Sequence, residues 1–157
     1  IMPYVKRDQQ NNIIARYNRP QSEDQEYVSD DDAEISALDL AGFKKTKIES
    51  LAESLSLDIN SGFESDALGA THHYDSEQHN IDWIQAASVS DVDSPVTCDD
   101  LDGNEDSKQP RNHTSAQCLI VLKDGMSALL AHKTKFRTLR DQVLAAADEA
   151  AVNAINW

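Results

Sequence analysis

Basic residues are scarce in this sequence. Its 157 residues include 28 acidic and 14 basic side chains, so the formal net charge is −14 at pH 7. Nucleic acids and anionic membrane surfaces are bound through clustered Lys and Arg side chains. Apolar runs are short as well, and none approaches the ~20 residues of a membrane-spanning helix. We therefore expect a protein that binds neither nucleic acid nor a membrane.

Cysteine and glycine are equally sparse, which limits the chemistry that the chain can support. Two cysteines, Cys98 and Cys118, permit one disulfide bond but no disulfide framework. The sequence contains no basic segment followed by an apolar stretch, which is the pattern of a secretion signal. We therefore expect both thiols to be reduced. Five glycines form neither a phosphate-binding loop nor a nucleophile elbow. The sequence therefore predicts a protein with no catalytic residues and no cofactor, and not an enzyme.

Three histidines are the first candidates for a metal site. His72, His73 and His79 lie close together with carboxylates between them, and such side chains bind zinc or iron in many proteins. Their spacing matches no zinc-binding motif, and neighbouring residues of a strand point to opposite faces. We therefore expect surface histidines without a metal, and a metal-dependent hydrolase is kept as an alternative.

An acidic turn is the second candidate. Asp100, Asp102, Asn104 and Asp106 alternate along the chain as calcium ligands often do, with Gly103 among them. The place of this glycine excludes a standard EF-hand loop, in which the glycine is sixth and a glutamate comes last. A looser Ca²⁺ loop stays open beside a solvated acidic turn, and the solvated turn is the expectation.

The first part of the chain predicts a hairpin followed by a helix. Tyr4–Arg7 and Ile13–Tyr17 are short β-type runs on either side of a stretch rich in Asn and Gln, which indicates a β-hairpin. Asp30–Asp32 then resembles the N-cap and first turn of a helix. Lys44–Asn60 carries apolar residues three and four apart, which predicts an amphipathic helix that Gly62 ends.

Shorter elements are expected in the middle of the chain. A second helix over Glu77–Ala87 has Asp75 or Ser76 as its cap and buries apolar residues on one side. The segment from Ser88 to Pro110 is rich in Ser, Asp and Pro, with Val96–Cys98 as its strand candidate.

The C-terminal stretch is the strongest pattern in the sequence. Thr114 and Gln117 have the spacing of a capping box, and no proline follows them. Residues 114–157 therefore predict one helix of about 44 residues, roughly 65 Å long. Apolar residues recur along it every seven positions, and such a repeat is typical of helices that wind around one another. Packing of this stripe on the chain's own domain is the alternative.

The stripe supplies the predicted protein-interaction residues. They are Leu122, Met126, Leu129, Phe136, Leu139, Val143 and Trp157. We expect the short strands and helices to dock on the segment from Leu119 to Leu130, which is apolar on more than one side. The segment from Phe136 to Trp157 is then left for another chain, and a homo-oligomer (a trimer or a dimer) is expected.

Together these patterns predict an α+β fold. A small N-terminal β-hairpin and short strands pack with two short helices and one long C-terminal helix. The expected boundary separates residues 1–40, with the hairpin and the acidic segment, from a second domain over residues 41–157.

An ordered set of short motifs resembles a known family. The set comprises Gly62-Phe63-x-Ser65-Asp66-Ala67-Leu68-Gly69, Tyr74-Asp75-Ser76, Asn80, the turn at Cys98, His113-Thr114-x-x-Gln117 and Ala151-Val152-x-Ala154-Ile155-x-Trp157. It resembles an uncharacterised domain family of tailed bacteriophages and prophages, associated with tail fibres and tail-fibre assembly proteins. The likeness runs from about Lys44 to Trp157, and the acidic turn departs from it by being longer and more charged.

The resemblance implies a context and no catalytic residues. It implies a non-enzymatic bacteriophage tail protein, either a tail-fibre assembly factor or adaptor, or a fibre-associated virion component. Its partner would be a phage tail-fibre or baseplate protein, and its location the virion tail or the host cytoplasm during phage assembly. A small acidic inhibitor that mimics the charge of DNA is the other alternative, because the net charge permits it.

Overall fold

The computed structural model describes residues 4–9, 13–17, 26–27, 33–101 and 107–157. The elements within them are β1 (Tyr4–Arg7), β2 (Ile13–Tyr17), β3 (Glu26–Tyr27), α1 (Ala33–Asn60), β4 (Phe63–Ser65), β5 (His72–Tyr74), α2 (Gln78–Ser88), β6 (Ser94–Asp100), β7 (Gln109–His113), α3 (Ser115–Ala145) and α4 (Glu149–Ala154). This combination of sheets and helices confirms the predicted α+β class. The predicted N-cap at Asp30–Asp32 lies outside the described residues.

The predicted N-terminal hairpin is confirmed and belongs to a three-stranded sheet. β1 pairs antiparallel with β2 on one side and with β3 on the other. Val5 at the centre of this sheet is fully buried and packs against Ile13. The third strand matters because an isolated two-stranded hairpin is only marginally stable in water. Residues 10–12, between β1 and β2 in the sequence, are outside the described part.

A second, four-stranded antiparallel sheet has the order β4-β5-β6-β7. The expected strand at Val96–Cys98 is confirmed and lies inside the longer β6. Alternate residues of β6 are buried, as the two-residue period of a strand requires when one face is covered. That face is covered by α2 and by the N-terminal half of α3. The core between them, here the sheet core, contains Phe63, Ala67, Tyr74, Ile84, Ala87, Val96, Cys98, Cys118 and Val121.

A separate cluster, here the helical core, lies where α1, the C-terminal half of α3, and α4 meet. Leu51, Val143 and Val152 are its buried residues, and Leu40 is among the partly buried residues packed around them. α1 starts at Ala33 and runs unbroken through the predicted domain boundary at residue 40. Leu40, at the predicted boundary, packs with residues that follow it in the chain, and the division into two domains stays a prediction.

The single helix predicted over residues 114–157 is also wrong in its extent. Its start is confirmed: Thr114 and Gln117 form the capping box, in which the Thr114 hydroxyl accepts from the Gln117 backbone. The helix ends at Ala145, and Asp148 caps a new helix by accepting a hydrogen bond from the Ala151 backbone N–H at 2.8 Å. The break turns the chain so that Val152 reaches the helical core.

The predicted second helix is confirmed as α2, but its predicted caps are not. Its N-cap residue is Glu77, which makes no side-chain capping hydrogen bond. Asp75 instead accepts from the Lys108 ammonium at 2.6 Å, and the Ser76 hydroxyl donates to the Ile59 carbonyl at 2.5 Å. These two side chains tie the start of α2 to its neighbours, so they are not available to cap it.

Candidate functional site

The predicted interaction stripe divides into a covered half and an open half. Phe136, Leu139, Val143 and Trp157 all pack in the helical core, and Val143 is fully buried there. Because α1 and α4 of the same chain pack on this half, less of it is open than the sequence predicts, and its contact with another chain stays a prediction. The physical reason is the break after Ala145, which folds the end of the chain back onto α3.

The other three predicted residues line an open groove between α2 and α3. The groove has a volume of about 650 Å³. Its walls include Leu119, Leu122, Met126 and Leu129 from α3, with Ile81 and Gln85 from α2. The α3 residues follow one another at intervals of three and four positions, so they form one stripe along the helix. The groove is therefore apolar along its α3 wall and mixed in polarity along α2.

Two glycines set the depth of the groove. A Cβ atom at Gly125 would lie 2.8 Å from Cζ of Phe63, so α3 can approach β4 this closely only with glycine at that position. Gly62, just after α1, has φ +92°, and a Cβ there would lie 2.4 Å from the Tyr74 carbonyl oxygen. Gly62 thus ends α1 as predicted, in a left-handed conformation. Phe63 is consequently held as part of the groove lining.

The rim of the groove exposes large apolar side chains to solvent. Met126 is 65 % exposed, and Leu119 and Val89, which also line the groove, are exposed as well. Leu130, one turn beyond Met126, is 63 % exposed. Exposed apolar residues that adjoin an apolar groove are typical of a protein–protein contact surface, whereas isolated ones are not. This contiguity makes the groove the candidate functional site.

One end of the groove is fixed to the helical core by a polar cluster around Asp58. The Trp157 indole N–H donates to Asp58 Oδ2 at 2.7 Å, and His132 Nδ1 lies 3.3 Å from the same oxygen. The Lys135 ammonium lies 4.3 Å from the centroid of the Trp157 ring, a cation–π contact. His132 also lines the groove. The C-terminal residue therefore helps to hold α1 against α3 where the groove ends.

Several motif residues support the fold behind the groove. Tyr74 and His113 are both fully buried, and the Tyr74 hydroxyl lies 2.8 Å from His113 Nε2. His113 Nδ1 lies 2.8 Å from the Arg111 carbonyl oxygen, which can only accept. The Nδ1 atom therefore carries the proton, and Nε2 accepts from Tyr74. Burial lowers the pKa of His113 and raises that of Tyr74, which favours the neutral form of both groups.

Next to this pair lies an ion pair on the sheet. Arg111 donates two hydrogen bonds of 2.7 Å to the two oxygens of Asp100, and His72 Nε2 lies 3.2 Å from Asp100 Oδ1. The hydrogen bonds from Arg111 hold the pKa of Asp100 below its ordinary range. The bidentate pair links β6 to β7, and the contact of His72 with Asp100 adds β5. These groups are thus partnered within the sheet.

The two cysteines are free and belong to the sheet core. Burial raises the pKa of Cys98 and of Cys118 above the ordinary value, which disfavours the reactive thiolate. They therefore contribute apolar packing to the core that supports α3.

The candidate metal sites are dispersed in the structure. His72 is buried in β5, His73 points to the other face of that strand, and His79 is exposed on α2 beside Glu77. Among residues that the structure describes, no group of three or more His, Cys, Asp and Glu side chains is placed to hold a metal ion. Most of the predicted acidic turn, residues 102–106, lies outside those residues. The metal-dependent hydrolase therefore gains no geometric support.

The sequence did not indicate the α2 wall of the groove. Gln85 is a polar residue of a helix that is expected to bury apolar residues, and Val89 follows the last residue of that helix. No local signal pairs either residue with α3. A signal for the break after Ala145 was present, because Asp148 followed by Glu149 is a favoured helix start. That signal would have shown which half of the stripe the chain covers itself.

No protein-family model, no curated protein and no solved structure matches this chain. The bacteriophage resemblance drawn from the motifs therefore stays a prediction. Over the described ranges, none of the helices has the length and apolar character needed to cross a membrane.

Proposed function

We propose that this chain is a non-enzymatic tail protein of tailed bacteriophages that acts through protein–protein contacts. It serves either as a tail-fibre assembly factor or adaptor, or as a fibre-associated component of the virion. The groove between α2 and α3 is its contact surface, and a tail-fibre or baseplate protein is the class of partner that the motif resemblance implies. Its location is then the virion tail, or the host cytoplasm during assembly.

The observation that carries this proposal is the exposed apolar groove. Met126 and Leu119 lie on its rim with their side chains open to solvent, and Leu122 and Leu129 lie deeper. Exposed apolar surface of this kind lowers its free energy when another protein covers it. The stripe has the spacing with which one helix packs against another.

The polar residues inside the fold support a non-enzymatic reading. Tyr74, His113, Asp100 and Arg111 are bonded to one another or to the backbone. Both thiols are buried with raised pKa values. These groups stabilise the sheet, and their partners leave them poorly placed to act on a substrate.

The test is carried out in the phage or prophage that encodes the sequence. We expect an epitope-tagged chain to co-purify with a tail-fibre or baseplate protein, and mass spectrometry of purified virions to separate the two roles. Presence in the virion indicates a structural component, and absence together with co-purification from the lysate indicates an assembly factor. The proposal would be contradicted if the chain is absent from virions and no tail protein co-purifies with it.

A matched pair of variants links that result to the groove. Met126→Gln removes an exposed apolar side chain from the groove rim, whereas Leu144→Gln makes the same kind of change on α3 outside the groove, where Leu144 is 54 % exposed. We expect the first to reduce recovery of the tail protein and the second to leave it unchanged. Equal recovery with both would show that the groove is not the contact surface.

A further inference from the structure

We propose that the groove is filled by α3 of a second copy of this chain. In the resulting dimer, α3 of each copy lies in the groove of the other and faces α2 of the other. The proposal rests on the proposed function in one respect, namely that the groove is a contact surface. It goes further by naming a second copy as the occupant of the groove, so that a tail protein binds the dimer and not the open groove of one copy.

A ridge of exposed apolar side chains lies beside the groove on the same helix. Leu119, Met126 and Leu130 are all exposed along one side of the N-terminal half of α3. Two of them, Leu119 and Met126, also form the edge of the groove. A ridge adjacent to a groove is self-complementary, because a two-fold axis between them places each ridge in the groove of the other copy. No further surface of the chain is required for this contact.

The spacing of the ridge fits a helix–helix contact. Leu119 and Met126 are seven positions apart, as are Leu122 and Leu129. This repeat favours packing of one helix along another at a shallow crossing angle. The C-terminal half of the same repeat packs in the helical core, so the open half ends near residue 130. The predicted contact is therefore about three helical turns long.

The two rims of the groove carry charges of opposite sign. Lys123 lies one turn from both Leu119 and Met126, so it borders the groove on the α3 side, and Lys133 follows Leu129 by one turn. On the α2 side, Asp82 lies one turn from Gln78 and Gln85, which line the groove, and it accepts a hydrogen bond of 2.7 Å from Gln78. One rim is thus basic and the other acidic.

This arrangement of charge selects a particular symmetry. A two-fold axis parallel to the groove places the basic rim of one copy against the acidic rim of the other. A two-fold axis across the groove would oppose like charges, which costs free energy. The basic α3 rim also matters because each chain carries a net charge of −14 and two copies otherwise repel. Lys123 of one copy is therefore inferred to face Asp82 of the other.

The first experiment is sedimentation equilibrium of the full chain from micromolar to millimolar concentration. We expect the average mass to rise from 17.4 kDa toward twice that value. The variant Met126→Gln/Leu130→Gln removes two apolar contacts per copy, and we expect the dimer to dissociate on the order of 100-fold more readily. Leu144→Gln is the control and should leave the dissociation constant unchanged.

The second experiment swaps the rim charges. Lys123→Glu and Asp82→Lys should each weaken the dimer about ten-fold, and the double variant should return to within about three-fold of the original. The double variant is expected to regain its affinity for itself only if Lys123 of one copy meets Asp82 of the other. Thermal unfolding followed by circular dichroism verifies that each variant is folded.

Three results would overturn the proposal. They are a monomer at every concentration, self-association that Met126→Gln/Leu130→Gln does not weaken, and a charge swap that fails to restore the dimer. A monomer that still co-purifies with a tail protein rejects the second copy as occupant and leaves the proposed function standing. A dimer that is recovered with no tail protein supports the second copy and rejects the proposed function.

Discussion

The two halves of α3 carry one seven-residue apolar repeat but differ in what covers them. In the N-terminal half, Gly125 and Val121 face the sheet core while Leu119 and Met126 remain open at the groove. In the C-terminal half, α1 and α4 of the same chain enclose the stripe around Val143. A repeat therefore identifies surfaces that need a partner helix, and the rest of the chain determines whether that partner is internal.

The largest effect is expected where the stripe is covered. Val143→Asn places an amide among apolar side chains in the helical core, with Val143 fully buried. We expect the free energy of unfolding to fall by about 3–5 kcal/mol, from the lost apolar burial and the unsatisfied amide. Urea unfolding followed by circular dichroism measures it.

The adjacent residue is the control for that prediction. Leu144 is exposed on the same turn of α3, and Leu144→Asn should cost less than about 1 kcal/mol, mainly through helix propensity. Comparable losses at both positions would mean that the C-terminal half is not enclosed as described.

A smaller loss is expected behind the groove. Tyr74→Phe removes the hydroxyl that donates to His113 Nε2 and leaves this buried nitrogen without its donor. We expect a loss of about 1–3 kcal/mol in the free energy of unfolding. Thr114→Ser, which keeps the hydroxyl of the capping box, serves as a conservative control on a neighbouring element. An unchanged stability in Tyr74→Phe would contradict the inferred hydrogen bond between Tyr74 and His113.

The same histidine predicts a dependence of stability on pH. Burial lowers the pKa of His113 in the native protein below its ordinary value of 6.5, so the unfolded chain binds the proton more readily. The stabilisation from the neutral ring is complete above pH 6.5 and is lost as the pH falls toward the lower native pKa. Asp100 does not contribute to this pH dependence, because its ordinary pKa is 3.8 and its pKa in the native protein is lower still, so it stays ionised near pH 6.5.

Urea midpoints measured from about pH 8 down to about pH 5 test this. The decline should be shallower in His113→Asn than in the original protein. His79→Gln changes an exposed histidine on α2 and should keep the original slope. If His113→Asn and His79→Gln change the pH dependence of the urea midpoint equally, the effect does not come from the buried pair of Tyr74 and His113.

The smallest effect is expected at the end of the helical core. Trp157→Phe removes the indole N–H that bonds Asp58 at 2.7 Å and weakens the contact with Lys135. We expect a loss of about 1 kcal/mol in the free energy of unfolding, because the ring packing is largely retained. Lys135→Gln should lose less, since it removes only the cation. A larger loss in Lys135→Gln than in Trp157→Phe would reverse the inferred order.

The parts of this fold that depend on local sequence could be predicted. The capping box at Thr114, the hairpin at Tyr4–Arg7 and Ile13–Tyr17, and the end of α1 before Gly62 each rest on residues a few positions apart. Such signals act through neighbouring backbone groups, so no knowledge of the distant chain is needed.

The division of the stripe could not be predicted from the spacing alone. Whether Phe136 and Leu139 face another chain depends on α1, which begins far earlier in the sequence and packs against them. The sequence predicts a helix start at Asp30–Asp32 and a separate helix over Lys44–Asn60, whereas one helix runs from Ala33 to Asn60 and offers a longer surface to cover α3. The groove likewise depends on how closely α3 approaches Phe63, which Gly125 determines.

The most direct test of this account is the rate at which a thiol reagent labels single cysteines placed along the stripe. At high dilution, Met126→Cys should label at a rate close to that of an exposed thiol, whereas Val143→Cys should label only through unfolding. The original protein, whose Cys98 and Cys118 are buried, gives the background rate. Labelling of Met126→Cys should slow as the protein concentration rises and the second copy covers the groove. Equal labelling rates at the two positions would contradict the division of α3 into an open half and a covered half.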